Sequence, residues 1–278
     1  MNAYFLWLGS PLPFVARLSV MSALHHGFDV TLFTDRPQKL DERIKQVAYT
    51  DILSEISLAD VRQSGKPCYA GFSDLFRYKL LKENTGWWFD CDTVILKNVD
   101  QFSMLVIDKD VAVGFESENG LNGAVLYCNS SNDAQRLYRD AIKLAENDFP
   151  WGAIGPDLIT KHYLQNDQSN ILKVEKNIFY PLSYREFDKA YRKEQLGHLT
   201  EQVEDSFCLT LWSSFLRQSG LAYMAPPTGS FLHQLSSELC VSFENTDDSC
   251  VDQQMRLWKA SRDMQNKRVL FKRLLSIG

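Results

Sequence analysis

The N-terminal part of the chain alternates between extended and helical patterns, and this alternation constrains the fold most strongly. Residues 3–8 form a short apolar run that predicts a strand, and residues 13–26 place apolar side chains at helical spacing. Residues 29–34 predict a second strand. A strand, a helix and a strand in succession are typical of a mostly parallel sheet. The sequence therefore predicts an α/β fold with a mostly parallel sheet flanked by helices.

Two carboxylates follow a later apolar strand. Trp87, Trp88 and Phe89 predict a buried strand, and Asp90 and Asp92 stand one residue apart at its end. The period-two geometry of a strand puts both acids on one face. Paired hard oxygens suit Mg²⁺ or Mn²⁺, which proteins usually bind together with substrate phosphates. The pair predicts a metal and diphosphate site; the alternative is a strand-to-turn junction with two solvated acids.

The segment before this strand predicts a helix that carries polar partners for the acidic pair. Residues 72–81 place their apolar side chains at helical spacing, and Asp74 and Arg77 lie three apart on the other face. A surface ion pair of little energetic value is one explanation. However, a short connection through Gly86 would return the chain beside the helix. We therefore expect Asp74 and Arg77 to face the same cleft as the acidic pair.

Three stretches carry a resemblance to a known family: residues 5–13, residues 72–78 and residues 86–92. They resemble the sugar-binding glycosyltransferases that contain an Asp-x-Asp motif and have a GT-A fold. The resemblance implies a Rossmann-like, mixed, mostly parallel sheet flanked by helices, and a helical C-terminal extension follows it. This family includes α-1,4-galactosyltransferases, initiating mannosyltransferases, bacterial capsule and lipopolysaccharide enzymes and, remotely, the clostridial glucosylating toxins. The resemblance extends from about residue 3 to about residue 215, and it implies transfer of a sugar with retention of the α-configuration.

The resemblance also implies roles for individual residues. Trp7, at the end of the first strand, matches an aromatic residue that stacks on the base of the nucleotide. Asp74 and Arg77 match a pair that holds the donor sugar and its diphosphate. Asp90 matches the first acid of the motif, which contacts ribose or sugar, and Asp92 matches the acid that binds the metal directly.

The chain differs from its nearer relatives in the element that would supply a third metal ligand. Many of them carry His-Leu-Trp-Asn, whereas this chain has Thr210-Leu-Trp-Ser. In the toxins, a Ser-x-Trp element supplies a hydroxyl to the metal and an indole N–H to the diphosphate. By this resemblance Thr210 is a metal ligand, and Trp212 helps to neutralise the leaving group together with Arg77.

Candidates for contacts with sugar hydroxyls lie further along the chain. Asn119 and Asn122 fall in the predicted loop between two strands, and Pro156 predicts the first residue of a helix. Relatives carry a similar Gly-Pro close to the sugar pocket. Gly155 and Asp157 are therefore predicted to contact substrate, along with the two asparagines.

The remaining elements are predicted from periodicity. Residues 111–115 and 123–128 predict strands, and residues 132–147 predict a helix with an Asn or Ser cap. The roughly 35 residues after the second strand read as helical and polar. Their expected buried positions are Leu53, Ile56 and Val61.

Composition indicates a globular chain with a sizeable core. The 278 residues are 45% apolar and 12% aromatic, and no apolar run reaches the roughly 20 residues that span a bilayer. The six cysteines show no CxxC spacing, and no basic region precedes the first apolar residues. We expect reduced thiols, no secretory signal and a cytoplasmic location.

Charge is distributed unevenly. The chain has a net charge of −5, but residues 255–278 hold seven basic residues and one acid, so this tail carries +6 and the rest −11. The tail has the pattern of a basic amphipathic helix, and peripheral contact with an anionic membrane is one interpretation. A terminal helix docked on the core is the other. Without a nucleic-acid motif, we expect no nucleic-acid partner. The predicted domains are residues 1–250 and the helix 251–278.

The predicted function is metal-dependent transfer of a hexose from a nucleotide-sugar to a glycan or lipid-linked glycan. UDP-hexose is the expected donor and GDP-mannose the second choice, in bacterial polysaccharide or lipopolysaccharide synthesis. Two alternatives stay open. Asp90-Cys-Asp-Thr-Val also fits a haloacid-dehalogenase-like phosphatase with Asp90 as nucleophile and Asp247-Asp248 as a second acidic motif. The replacement at Thr210 fits a degenerate sugar-nucleotide-binding protein.

Overall fold

The computed structural model describes residues 1–129, 131–166, 168–243 and 251–275. Contacts between Cα atoms divide the chain into two compact units. The first comprises Met1–Leu182 and Gln202–Thr210, and the second comprises Ser183–Glu201 and Leu211–Gly278.

The described residues contain eleven strands, which all lie in the first unit: β1 Asn2–Trp7, β2 Asp29–Thr34, β3 Lys45–Ala48, β4 Arg62–Gln63, β5 Lys66–Pro67, β6 Gly86–Phe89, β7 Thr93–Ile95, β8 Val111–Ser117, β9 Gly120–Cys128, β10 Ile171–Val174 and β11 Cys208–Thr210. The α-helices of the described chain are α1 Phe14–His25, α2 Tyr69–Glu83, α3 Val99–Leu105, α4 Ser131–Ala145, α5 Pro156–Tyr163, α6 Lys176–Phe179, α7 Leu196–Gln202, α8 Ser213–Ser219, α9 Phe231–Glu238 and α10 Val251–Leu275. Short 3₁₀ helices lie at Tyr49–Asp51, Tyr184–Glu186, Lys189–Tyr191, Lys193–Gln195 and Leu221–Tyr223.

Seven strands of the described chain form the central sheet, in the order β10-β8-β9-β6-β1-β2-β3. Strand β9 is antiparallel to both of its neighbours, and every other pairing is parallel. The predicted α/β class with a mixed, mostly parallel sheet is thereby confirmed. Because β1 and β6 are parallel neighbours, their carboxyl ends meet at the same edge of the sheet.

The core lies on both faces of the sheet, and β6 supplies residues to each. Trp88 packs on the face covered by α2, where its ring lies 6.1 Å from that of Phe76. Trp87 and Phe89 point to the opposite face, where both contact the ring of Phe102. All four residues of β6 are buried, as expected of a central strand covered on both faces.

The helix expected after β2 is absent from the described residues 35–68, and that prediction was wrong. These residues instead form the edge strand β3, a 3₁₀ turn and the small β4–β5 hairpin. Strand β3 pairs with β2, which supplies its backbone hydrogen bonds. The sequence of β3 therefore needs no helical periodicity. Leu53 and Val61 are buried as predicted, while Ile56 is partly exposed.

The hairpin β8–β9 is longer than predicted. Asn122 lies inside β9 rather than in the loop, whereas Asn119 does lie at the turn. The register shifts between Val113 and Gly114, so a bulge separates the two halves of the hairpin. Helix α4 begins at Ser131, and residue 130, a candidate for its predicted cap, lies outside the described residues.

In the second unit, the first turns of α10 are docked. Val251 and Met255 are buried, and the side-chain amide of Gln254 donates to the backbone carbonyl of Ser219 at 2.5 Å. The ring of Trp258 meets that of Phe187 edge to face. The helix therefore packs within this unit at its N-terminal end, as in the docked interpretation of the tail.

None of the helices in the described part of the chain combines the length and apolar character that a membrane span requires.

Candidate functional site

The Asp-x-Asp element lies in a turn at the carboxyl edge of the sheet. Strand β6 ends at Phe89, and the backbone N–H of Thr93 donates to the carbonyl of Asp90 at 2.9 Å, which closes the turn. The period-two argument for the acidic pair was therefore wrong, since Asp92 does not belong to the strand. Both acids are partly exposed.

The residue between the two acids points inward. The thiol of Cys91 donates to the carbonyl of Leu6 on β1 at 3.2 Å. Burial raises the pKa of this thiol well above its usual value, so Cys91 stays protonated and anchors the turn to β1.

Arg77 joins two carboxylates from different elements. Its Nη2 lies 2.8 Å from Oδ1 of Asp90 and 3.1 Å from Oδ1 of Asp74 on the preceding turn of α2. The arginine side chain is 5% exposed, so these are not surface ion pairs. Its Nε is buried and has no hydrogen-bond partner among the described residues. The structure thus brings Asp74, Arg77 and Asp90 into one cluster beside the turn.

Trp88 is a member of this cluster that the sequence analysis missed as a site residue. Its indole Nε1 donates to Oδ1 of Asp90 at 2.8 Å, and the guanidinium carbon of Arg77 lies 5.1 Å from its ring centre. Both bonds to Asp90 reach the same oxygen, and Oδ2 accepts none from the described residues. Period two along the strand was the available signal, since Trp88 lies two residues before Asp90.

Burial sets the electrostatics of the cluster. Loss of solvent raises the pKa of Asp74 from 3.8 to about 6; the charge of Arg77 opposes the rise and that of Asp90 adds to it. For Arg77, burial lowers the pKa, but Asp90 and Asp74 outweigh it and the net pKa is raised. One fixed positive charge therefore serves two acids.

The N-terminus of α5 lies against Asp74. The helix begins at Pro156, as predicted, and Gly155 precedes it. A Cβ on Gly155 would lie 2.7 Å from Oδ2 of Asp74, so a side chain at that position would collide with the carboxylate. The Tyr78 hydroxyl donates to the carbonyl of Ile154 at 2.9 Å, which fixes this loop to α2. Gly155 is thus a close-approach position. Asp157 is exposed in the first turn of α5.

The two predicted asparagines have different surroundings. The side-chain amide of Asn122 donates to Glu116 at 2.6 Å, and its Oδ1 accepts from the N–H of Ala124 at 2.8 Å. The hydroxyl of Tyr180 donates to the carbonyl of Asn122 at 3.0 Å. Asn122 therefore holds the bulge of the hairpin, while Asn119 is exposed at its tip.

The remaining predicted residues lie at strand ends. Trp7 closes β1 and is partly exposed, and its Nε1 donates to the carbonyl of Ser10 at 2.7 Å. Thr210 ends β11, where it pairs with Thr93, and the two hydroxyl oxygens lie 3.4 Å apart. This pairing puts Thr210 beside the Asp-x-Asp turn.

Trp212 belongs to the second unit. It precedes α8 with a φ of 55°, in the left-handed region that residues other than glycine adopt rarely. Its ring centre lies 6.1 Å from that of Tyr184.

No group of three or more His, Cys, Asp and Glu side chains in the described residues is arranged to hold a metal ion. Oxygen donors near the turn include Oδ2 of Asp90, the carboxylate of Asp92 and the hydroxyls of Thr93 and Thr210. A few such donors suit a hard divalent cation that takes its other ligands from substrate phosphates and water.

Comparison with known proteins shows which class of protein this chain is similar to. Residues 137–246 match the model of the family described as the alpha 1,4-glycosyltransferase conserved region. The similarity is to glycosyltransferases, as the sequence predicted. The matched segment contains Gly155, Asp157, Thr210 and Trp212, whereas the Asp-x-Asp turn lies before it.

Two curated relatives are the lactosylceramide 4-alpha-galactosyltransferases of Rattus norvegicus and Mus musculus. They are 22% and 23% identical to this chain over 60% of its length. The chain spans 47% of the length of each. Among solved structures, the galactosyltransferase LgtC in complex with donor and acceptor sugar analogs is 11% identical, with a TM-score of 0.44 over 89% of this chain and 98% of that chain.

Proposed function

We propose that this protein is a metal-dependent, retaining glycosyltransferase that moves a hexose from a nucleotide-sugar to a glycan. The observation that carries the proposal is the Asp74, Arg77 and Asp90 cluster beside the Asp-x-Asp turn, at the edge where parallel strands end. Ligands of open α/β sheets bind outside the carboxyl ends of the strands. The match to the glycosyltransferase conserved region supports the same reaction class.

In this proposal, the cluster orients Asp90 for the donor. Arg77 and Trp88 fix Oδ1, so the carboxylate is held in one orientation and Oδ2 remains for a hydroxyl of the sugar or ribose. Holding a group in its productive geometry before the substrate arrives lowers the barrier. The family resemblance assigns Arg77 to the diphosphate, and Trp7 at the end of β1 offers an aromatic face for the base.

Asp92 and Thr210 are the residues that would hold Mn²⁺ or Mg²⁺. When bound, the cation would neutralise the negative charge that develops on the leaving diphosphate. Trp212 is proposed to contribute its indole N–H to that charge, and Asn119, Asn122, Gly155 and Asp157 to line the sugar site. For Gly155 this means the backbone. The side chain and the carbonyl of Asn122 are engaged by Glu116, Ala124 and Tyr180, so its place in the sugar site rests on the family resemblance.

UDP-hexose is the proposed donor, since the curated relatives are named galactosyltransferases, and GDP-mannose is the second choice. The proposed acceptor is a glycan or lipid-linked glycan in bacterial polysaccharide or lipopolysaccharide synthesis, which follows from the family resemblance alone. We propose a cytoplasmic location with peripheral membrane contact through α10. Free thiols buried in the core at Cys128 and Cys208 are compatible with reducing conditions.

The experiment pairs ligand binding with turnover. Melting temperatures are measured with UDP, GDP and their hexose conjugates, with and without Mn²⁺, because a ligand that binds the folded state raises stability. We expect a metal-dependent rise with UDP, and slow hydrolysis of UDP-hexose without acceptor. Asp92→Asn should abolish both while melting like the wild type in the absence of ligand. Asp100→Asn, an exposed acid on α3, is the matched control.

The same assay separates the alternatives. Binding of UDP and Mn²⁺ without any turnover would support a degenerate sugar-nucleotide-binding protein. A phosphatase would form a phosphoenzyme or a fluoroberyllate adduct at Asp90, which Asp90→Asn would remove. The contacts of Asp90 with Arg77 and Trp88 favour a fixed hydrogen-bond acceptor over a nucleophile. The second acidic motif of that alternative, Asp247-Asp248, lies outside the described residues.

A further inference from the structure

One aromatic side chain of the first unit lies open to solvent close to the candidate site. Trp151 is 79% exposed, whereas Trp87 and Trp88 are at most 1% exposed. It lies in the turn that leads from Pro150 to Gly155 and into α5. An indole this exposed contributes little to a core, and tryptophans are enriched at binding interfaces.

The turn that carries Trp151 is held by contacts on both sides of this residue. Gly152 has a φ of 86°, and its carbonyl accepts the N–H of Asp157 at 3.0 Å. Phe149, on the other side of Trp151, is buried against Gly71 of α2. The backbone on both sides of the indole is therefore anchored, which lowers the entropy lost when a ligand stacks on it.

A carboxylate lies against the residue that follows Trp151. A Cβ on Gly152 would be 3.1 Å from Oδ2 of Asp157. Asp157 is itself exposed in the first turn of α5. An exposed aromatic ring and an exposed hydrogen-bond acceptor on one short segment match a pyranose, which has an apolar C–H face and hydroxyl groups at its rim.

This pair is continuous with the candidate donor site. Gly155, in the same turn, closely approaches Asp74, and the carbonyl of Ile154 accepts the hydroxyl of Tyr78. One loop thus contacts the Asp74 and Arg77 cluster at one end and displays Trp151 at the other.

We infer that Trp151 and Asp157 form the acceptor subsite, in which the indole stacks on the C–H face of a hexopyranoside and the carboxylate accepts its hydroxyl groups. The inference rests on the proposed function and adds Trp151 as the residue that decides acceptor binding.

The test measures glycoside binding and turnover separately. Methyl β-lactoside and methyl β-cellobioside are the probes, observed by saturation-transfer NMR with Mn²⁺ and UDP present. Trp151→Ala should weaken lactoside binding at least about tenfold and raise the acceptor KM by a similar factor. Trp151→Phe should stay within about threefold of the wild type, and Asp157→Asn should weaken binding several-fold. Hydrolysis of UDP-hexose without acceptor should be unchanged in Trp151→Ala.

Met104→Ala is the matched control. Met104 is 71% exposed on α3, and the neighbouring Ser103 contacts Met1, where β1 begins, so the control lies toward the opposite edge of the sheet. All variants should melt like the wild type, because the removed side chains are exposed.

The outcomes separate this inference from the proposed function. A wild type without turnover of any nucleotide-sugar contradicts the proposed function, while glycoside binding that depends on Trp151 would still support the subsite. The inference is overturned if the wild type binds neither glycoside, if Trp151→Ala binds both like the wild type, or if Met104→Ala loses binding equally. Any of these results would assign the exposed indole to another kind of contact.

Discussion

At the scale of single residues, the candidate site depends on one guanidinium between two acids. Arg77 pairs with Asp74 and Asp90, and its side chain is almost fully buried. Breaking a buried ion pair by removing one partner is costly, because it leaves charge without compensation. The cluster is therefore both a stability element and part of the proposed donor site.

Replacement of Arg77 by Met should lower the free energy of unfolding by about 3 kcal/mol at pH 7. Urea denaturation followed by circular dichroism measures the change. The double variant Arg77→Met with Asp74→Asn should recover part of the loss, because one of the two unpaired acids is then neutral. Equal stability of Arg77→Met and the wild type would show that the pairs contribute nothing.

Asp74 should make stability depend on pH in a defined direction. Its pKa in the folded chain is about 6 instead of 3.8, so between these values the folded state binds the proton more readily than the unfolded state. Its contribution is then present at low pH and is lost as the pH rises through about 6.

Relative to Asp74→Asn, the wild type should lose about 2 to 3 kcal/mol of unfolding free energy between pH 4 and pH 7. The difference between the two proteins, measured by urea denaturation at each pH, cancels the titration of other groups. A difference that stays constant, or that grows with pH, would contradict the raised pKa.

At the scale of elements, the start of α5 is matched to the surface of α2. Gly155 approaches Asp74 so closely that any larger residue must displace the carboxylate or the helix. Overpacking of this kind costs roughly 1 to 3 kcal/mol. We expect Gly155→Ala to lower stability by this amount and to weaken UDP-hexose binding, since Asp74 would move away from Arg77.

Gly197→Ala in α7 is the control for this substitution, because a Cβ there meets nothing within 4 Å. Thermal melting and calorimetric titration with UDP-hexose report on the two effects. If both alanine variants behave alike, the contact of Gly155 with Asp74 has no structural importance.

At the scale of the whole molecule, α10 has two parts with separate expected roles. Its first turns are docked in the second unit through Gln254 and Trp258. Truncation after residue 250 should therefore lower the melting temperature, because buried apolar contacts are lost.

Truncation after Met264 should leave the melting temperature unchanged and test membrane contact alone. It removes four basic residues, Lys267, Arg268, Lys272 and Arg273. Each basic residue near an anionic surface contributes about 1 kcal/mol, and salt screens the effect. Co-sedimentation with phosphatidylglycerol vesicles should therefore fall steeply in the truncated chain and with added salt. Salt-independent binding, or none in the wild type, would contradict membrane contact.

Much of the architecture could be predicted from local patterns. The predicted bounds of β1, α1 and β2 agree with the observed bounds to within one residue. Helix α5 begins at Pro156, as the preference of proline for the first helical position predicts. Local patterns suffice there because each element buries a face that its own spacing defines. The helix predicted for residues 35–68 was wrong because an edge strand gains its hydrogen bonds from a neighbouring strand and needs no periodicity of its own.

The sequence was enough to predict which residues make up the candidate site: two acids after a buried strand, and an Asp and an Arg three apart on a helix. How these residues combine depends on the tertiary structure. In it, β6 ends before Asp92, and Arg77 and Trp88 both donate to one oxygen of Asp90. Thr210 pairs with Thr93, although the two are 117 residues apart. The physical reason is that such contacts arise from the packing of α2, β6 and β11 against neighbours distant in sequence, and no local pattern records that packing.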